Sequence, residues 1–222
     1  MKRWLWILST VIGVLLIGAV TTYHYWGRDV LAAEANNQAS DAYSAQQWSQ
    51  AIVHASNAIA RASEEHEERT WGHIWRGLSY TMRGMTEDRR DDFERAIEDF
   101  TIVIERNRRK STSYGFRGVA KFHLGKIDEA EKDLNKAVTL DNDGAVALYY
   151  RGRICAHRGN HDEAIHFYDE ALTVNPNFVA GYLARSISWE AKGEKKRAYE
   201  DQTKAEDMAI SANVYYRELK RR

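Results

Sequence analysis

The stretch AVALYYRGRICAHRGNHDEAIHFYDEALTVNPNF, residues 145–178, decides the fold. It holds Cys155, His157, His161 and His166, several carboxylates and the chain's only proline, Pro176. It can be read as a ligand cluster or as one module of a repeated scaffold, and repeats are sought first. Gly118 and Gly152 lie 34 residues apart, as do Gly125, Gly159 and Gly193. Ala130, Ala164 and Ala198 keep the same period, and so do Ala137, Ala171 and Ala205. The histidines do not recur. Four columns sharing one period define a unit: a helix, a turn at the second glycine, and a second helix carrying the alanines.

The pattern resembles the tetratricopeptide repeat, a 34-residue helix–turn–helix unit. The unit at 145–178 carries the resemblance through Leu148, Gly152, Gly159, Ala164, Tyr168, Ala171 and Pro176. The unit at 111–144 matches through Tyr114, Gly118, Gly125, Ile127, Ala130, Leu134 and Ala137, with Asn142 in place of the proline. The unit at 179–212 matches through Tyr182, Ser186, Trp189, Gly193, Ala198 and Ala205. Upstream, Gly77, Tyr80 and Gly84 suit a first helix, and Phe93, Ala96, Phe100 and Val103 a second. The spacing there is seven residues too long, so 85–91 reads as an insertion in the turn of a unit at 70–110. Ala39, Trp48, Ala51, Ala55 and Ala58 suit a degenerate first unit within 29–69. Residues 213–222 read as a capping helix, since terminal repeats are often atypical.

A single unit cannot bury its apolar face, so neighbours must stack. Small residues such as Gly152, Ala164 and Ala171 allow close approach, and Tyr168 and Leu172 fill the gaps. The resemblance implies a superhelix whose first helices line a concave groove for a protein partner. By register that groove presents Ile74, Leu78, Thr81 and Met82, then Gly115, Val119, Phe122 and His123, then Tyr149, Arg153 and His157, then Leu183 and Ile187. The Lys and Asn with which some relatives clamp terminal carboxylates are replaced by Ile74/Leu78, Gly115/Val119, Tyr149/Arg153 and Leu183/Ile187. Such an apolar, aromatic groove suits an apolar or amphipathic peptide segment.

No catalytic residue, cofactor or metal site is expected. In register, Cys155, His157, His161 and His166 point to different sides, and His161 and His166 are five apart, off one helical face. The pairs Asp128/Glu129 and Asp162/Glu163 open second helices, where negative charge favours the helix dipole. Formal net charge is zero, from 32 basic and 32 acidic side chains, which opposes nucleic-acid binding. The single cysteine excludes an intramolecular disulfide and any CxxC motif.

Residues 4–23 are mostly apolar and uncharged, the length that crosses a bilayer core of about 30 Å. Trp4 and Trp6 at one end, and Tyr23, Tyr25 and Trp26 at the other, suit the two membrane interfaces. Segment 1–28 is therefore expected as an uncleaved transmembrane anchor. Lys2 and Arg3 place the N-terminus in the cytoplasm and the rest of the chain in the periplasm of a bacterial inner membrane. The expected fold is all-α: a transmembrane helix, a linker and degenerate first repeat over 29–69, a solenoid over 70–212 that makes about four to five repeats in all, then the cap. The expected function is a non-enzymatic, membrane-anchored scaffold that binds a protein partner during assembly of an envelope complex. A permanent structural subunit of such a complex is the alternative.

Overall fold

Each hairpin of this protein turns on one backbone motif, in which a residue of left-handed conformation ends the first helix. A computed structural model describes residues 27–107, 110–141 and 144–219, with side chains through residue 210. Among the described residues there are ten α-helices and no strand. They are α1 (27–44), α2 (Trp48–Arg61), α3 (Glu67–Glu87), α4 (Arg90–Arg106) and α5 (Ser111–His123). Then follow α6 (Ile127–Leu140), α7 (Ala145–His157), α8 (His161–Val174), α9 (Val179–Ala191) and α10 (Lys195–Leu219).

Gly125, Gly159 and Gly193 have φ near +80°, and Gln46 and Asp88 occupy the same place with φ of 58° and 53°. After Gly125, the amide of Lys126 donates to the carbonyl of Lys121 at 2.9 Å. Asn160 and Glu194 donate likewise to Cys155 and Trp189, Gln47 to Ala42, and Arg89 to Gly84. This six-to-one bond closes the helix end and reverses the chain. Acidic residues then open the second helices, with Asp91 and Asp92 in α4, Asp128 and Glu129 in α6, and Asp162 and Glu163 in α8.

The chain divides within α4 into two compact units, Met1–Val103 and Ile104–Arg222. In the first, alanines make the helix contacts: Ala32, Ala35 and Ala39 of α1 and Ala51, Ala55 and Ala58 of α2 are all buried. Residues 85–91 do not form a loop. Residues 85–87 complete α3, Asp88 and Arg89 make the turn, and 90–91 begin α4. The seven residues thus add about one turn to each helix of this hairpin. Gly77 packs on Phe100, and one layer further out Gly84 packs on Phe93.

In the second unit three buried clusters lie in series. Val119, Leu134, Tyr150 and Ile154 belong to the first, Leu148, Phe167 and Tyr168 to the second, and Leu172, Tyr182 and Ala205 to the third. The first helices α5, α7 and α9 touch in sequence, whereas α6, α8 and α10 do not touch one another among the described residues. The first helices therefore form the inner row of this unit. Residues 213–219 continue α10 rather than starting a separate helix. No glycine or proline interrupts that run.

Buried ion pairs recur in the same register. Arg117 is paired with Asp133, Arg185 with Asp201, and Arg76 with Asp99, each through two hydrogen bonds. The extended hairpin adds a second such layer, Arg83 with Asp92. In the fourth hairpin Phe167 stands where the aspartate would be, and the Arg151 guanidinium lies 4.0 Å from the centre of its ring.

The membrane expectation is corrected. Among the described residues no helix is long and apolar enough to cross a membrane. Even α3, with 21 residues, is amphipathic and carries Glu67, Glu68, Arg69, Arg76 and Arg83. The span expected over 4–23, with Trp4, Trp6, Tyr23, Tyr25 and Trp26 at its ends, lies outside the described residues. The fold class that the described residues show is accordingly an all-helical repeat solenoid. The localisation as a single-pass inner-membrane protein with a periplasmic solenoid is withdrawn with the expected span.

Candidate functional site

The inner row of the second unit carries a groove built from helix α7 outward. Tyr149 and Arg153 are one turn apart on this helix, so their side chains share a face. The Tyr149 ring meets Tyr150 at 5.0 Å and Phe178 at 5.1 Å, both edge to face. The Arg153 guanidinium lies 4.7 Å from the Phe122 ring centre and 5.6 Å from that of Tyr150. Cation–π contact of this kind holds a long side chain against an aromatic wall.

Beside Arg153 opens a pocket of about 250 Å³. Phe122 of α5, Arg153, Ala156 and His157 of α7, Tyr168 of α8, and Ala184, Ile187 and Ser188 of α9 line it. Burial pushes the Tyr168 hydroxyl well above the usual tyrosine range, so it keeps its proton. The Tyr150 hydroxyl is pushed up to about 12, first by burial and then by Tyr149, against the opposing effect of Arg153. It lies 2.9 Å from His123 Nε2. Burial and then the Arg153 charge lower the His123 pKa, so the neutral ring is favoured and can accept a hydrogen bond from the Tyr150 hydroxyl.

The residues expected along the groove separate into two sets. Ile74, Leu78 and Thr81 of α3 and Val119 of α5 are buried. The Thr81 hydroxyl is used within its own helix, donating to the Gly77 carbonyl at 2.9 Å. Met82, Phe122, His123, Tyr149 and Arg153 are half-buried, and His157 is exposed. Leu183 and Ile187, one turn apart on α9, are 44% and 62% exposed, an unusual state for two neighbouring large apolar side chains. Phe122, Arg153, His157 and Ile187 meet at the pocket. Sequence reasoning missed Tyr168 and Ser188 as pocket residues, having placed Tyr168 among the gap fillers; the Tyr168 phenol was the available signal.

Cys155 is buried, His157 exposed, and His161 begins α8. His166 is exposed and lies 3.6 Å from Glu170. Among the described residues no three metal-binding side chains converge. The acidic helix starts engage in surface pairing: Asp128 with Arg158 at 3.0 Å, and Asp162 with Lys192 one repeat later.

Sequence profiles described as tetratricopeptide repeat match residues 81–145 and 145–178. No curated protein sequence gives a significant match. Among solved structures, a thermophilic tetratricopeptide protein of Thermus thermophilus is similar with a TM-score of 0.67 at 16% identity, over 84% of this chain and 97% of that one. A crystal structure of MamA is similar with a TM-score of 0.58 at 20% identity, over 80% and 97%. A MamA RS-1 ArsTM double mutant gives 0.60 at 16% identity, over 82% and 97%. At these identities the structural likeness speaks for the fold. Together with the two profile matches and the five hairpins of the structure, it shows that the chain belongs to the tetratricopeptide repeat family.

Proposed function

We propose that this chain is a protein-interaction scaffold that holds a segment of a partner protein in the groove of α5, α7 and α9. The observation that carries this reading is the exposure of Leu183 and Ile187 beside the aromatic pocket. Apolar side chains left open next to a concave aromatic surface mark interaction sites. The partner segment is apolar or amphipathic. The scaffold contributes no chemistry of its own and raises the effective concentration of the bound protein during assembly of a larger complex.

The test compares affinity capture by three forms of the full chain. Leu183→Glu combined with Ile187→Glu places charge in the groove, whereas Tyr199→Glu alters an exposed residue of α10. Proteins held in the groove are lost from the first variant and retained by the second. Equal capture by all three forms would overturn the groove. A captured protein that stays at fixed stoichiometry through every purification step would turn the reading towards a permanent structural subunit.

A further inference from the structure

The seams between first helices of the second unit share one 34-residue register but are filled differently. Between α5 and α7, Tyr150 and Ile154 are buried against Val119 in the first cluster. The Tyr150 ring stands edge to face with Phe122 at 5.3 Å, and its hydroxyl meets His123 Nε2 at 2.9 Å. One repeat later, Ala184 stands in the place of Tyr150 and Ser188 in the place of Ile154. Two large side chains are lost together, and Ala184 and Ser188 line the pocket of about 250 Å³. The histidine is kept: His157 holds the register position of His123 and also lines the pocket. Ser188 is fully buried, and its Oγ has no hydrogen-bond partner among the described residues. Ser79, at the same register position of the second hairpin, instead donates to the Trp75 carbonyl at 2.8 Å. A buried hydroxyl without a partner costs stability unless a ligand satisfies it.

We infer that this pocket takes the ring of a tyrosine carried by the partner segment, in the space that Tyr150 fills one seam earlier. The inference rests on the groove reading above and names the side chain that anchors the segment. The chain's own repeat argues for a phenol, since the preceding seam closes on one. A purely apolar side chain would fill the volume and leave the Ser188 hydroxyl unsatisfied. A phenol hydroxyl both donates and accepts, so it can donate to the His157 ring and accept from Ser188. Phe122 and Tyr168 of the lining give the ring aromatic neighbours. Leu183 and Ile187, exposed on α9, take the apolar residues that flank the tyrosine.

The test is selection of a displayed random peptide library on the full chain. The selected peptides are expected to share one tyrosine with apolar neighbours. Tyrosine to phenylalanine in such a peptide should weaken binding to the wild-type chain about fivefold or more. The same change should make no difference on a chain carrying Ser188→Ala and His157→Gln. Ala184→Tyr with Ser188→Ile rebuilds the preceding seam and fills the pocket, so it should abolish binding while the thermal midpoint holds or rises. Where that variant fails to fold, the comparison of tyrosine with phenylalanine in the peptide carries the test alone. Peptides that are lost with Ile187→Glu, but lack a tyrosine or keep their affinity with phenylalanine in its place, would overturn this inference and leave the scaffold reading standing. Binding retained by a folded Ala184→Tyr, Ser188→Ile chain would do the same. Peptides indifferent to Ile187→Glu, or no selected peptide at all, would overturn both.

Discussion

The Arg117 guanidinium donates two parallel hydrogen bonds of 2.8 Å to the two oxygens of the buried Asp133 carboxylate. Lys121 adds a third contact at 2.8 Å. Removing one partner of a buried ion pair leaves the other charge uncompensated, at a cost of about 3–5 kcal/mol. Asp133→Ala should therefore lower stability by roughly 3 kcal/mol, read as a shift in the urea midpoint. An exposed carboxylate serves as control: Glu129→Ala should change the midpoint by less than about 0.5 kcal/mol equivalent.

Two glycines of matching appearance should respond in opposite senses. A Cβ on Gly152 would lie 2.5 Å from Cε1 of the buried Tyr168 ring. Gly152→Ala should cost about 1–3 kcal/mol. A Cβ on Gly115 would meet only the Ala137 methyl, at 3.7 Å. Gly115→Ala should stabilise by up to about 1 kcal/mol, because alanine is the better helix former. Thermal unfolding of the two variants checks the sign of each.

The turn positions give a third comparison. Gln46 and Asp88 hold the left-handed conformation that glycine holds at 125, 159 and 193. An L-residue pays about 1–2 kcal/mol there, less for Asp than for Gln. Gln46→Gly should raise the unfolding midpoint, and Asp88→Gly should raise it by a smaller amount. Gly125→Ala has open space around its Cβ, so its expected loss measures backbone strain alone.

Acid should loosen the groove through His123. Its pKa is lowered in the folded protein from an ordinary 6.5. The unfolded chain then binds the proton more readily, so stability rises with pH through this window. The contribution is fully present above 6.5 and is lost as pH falls from there towards the depressed folded value. The pH-dependent loss of stability between about pH 7.5 and 5 should be smaller for His123→Gln than for the wild type. Equal losses in the two proteins would refute the coupling.

The Cys155 thiol is pushed up to about 11, first by burial and then by Glu163. A thiol rather than a thiolate is a poor nucleophile. Iodoacetamide at about pH 8 should leave the folded chain unmodified and alkylate it in denaturant, as mass spectrometry would report.

The hairpins of 111–212 were legible because close helix packing demands small residues at fixed positions. Gly118 faces Leu134 and Gly152 faces Tyr168 with almost no clearance. The seven extra residues at 85–91 were visible as spacing, but not as helix. The cue was a doubled heptad: Arg76-Gly77 returns as Arg83-Gly84, and Asp92-Phe93 as Asp99-Phe100. The ion pairs escaped notice because Arg117 and Asp133 lie on different helices, 16 residues apart, where no single-helix pattern joins them. Register put Phe122, Arg153, His157 and Ile187 on one face, and these four line one pocket. It could not foresee that Ile74, Leu78 and Thr81 are buried, since face assignment does not report how deeply a face is covered.

In Ile104–Arg222, the paired Asp133 and Asp201 lie inside hairpins and are nearly inaccessible, at 5% and 6% exposure. Two pairs between hairpins, Asp128 with Arg158 and Asp162 with Lys192, sit in open solvent. Salt screens exposed charges and spares buried ones. The charges within each hairpin are therefore shielded from salt, whereas those between hairpins are open to it. Raising ionic strength weakens the exposed pairs alone, and the buried clusters that span the seams then carry the contact between hairpins.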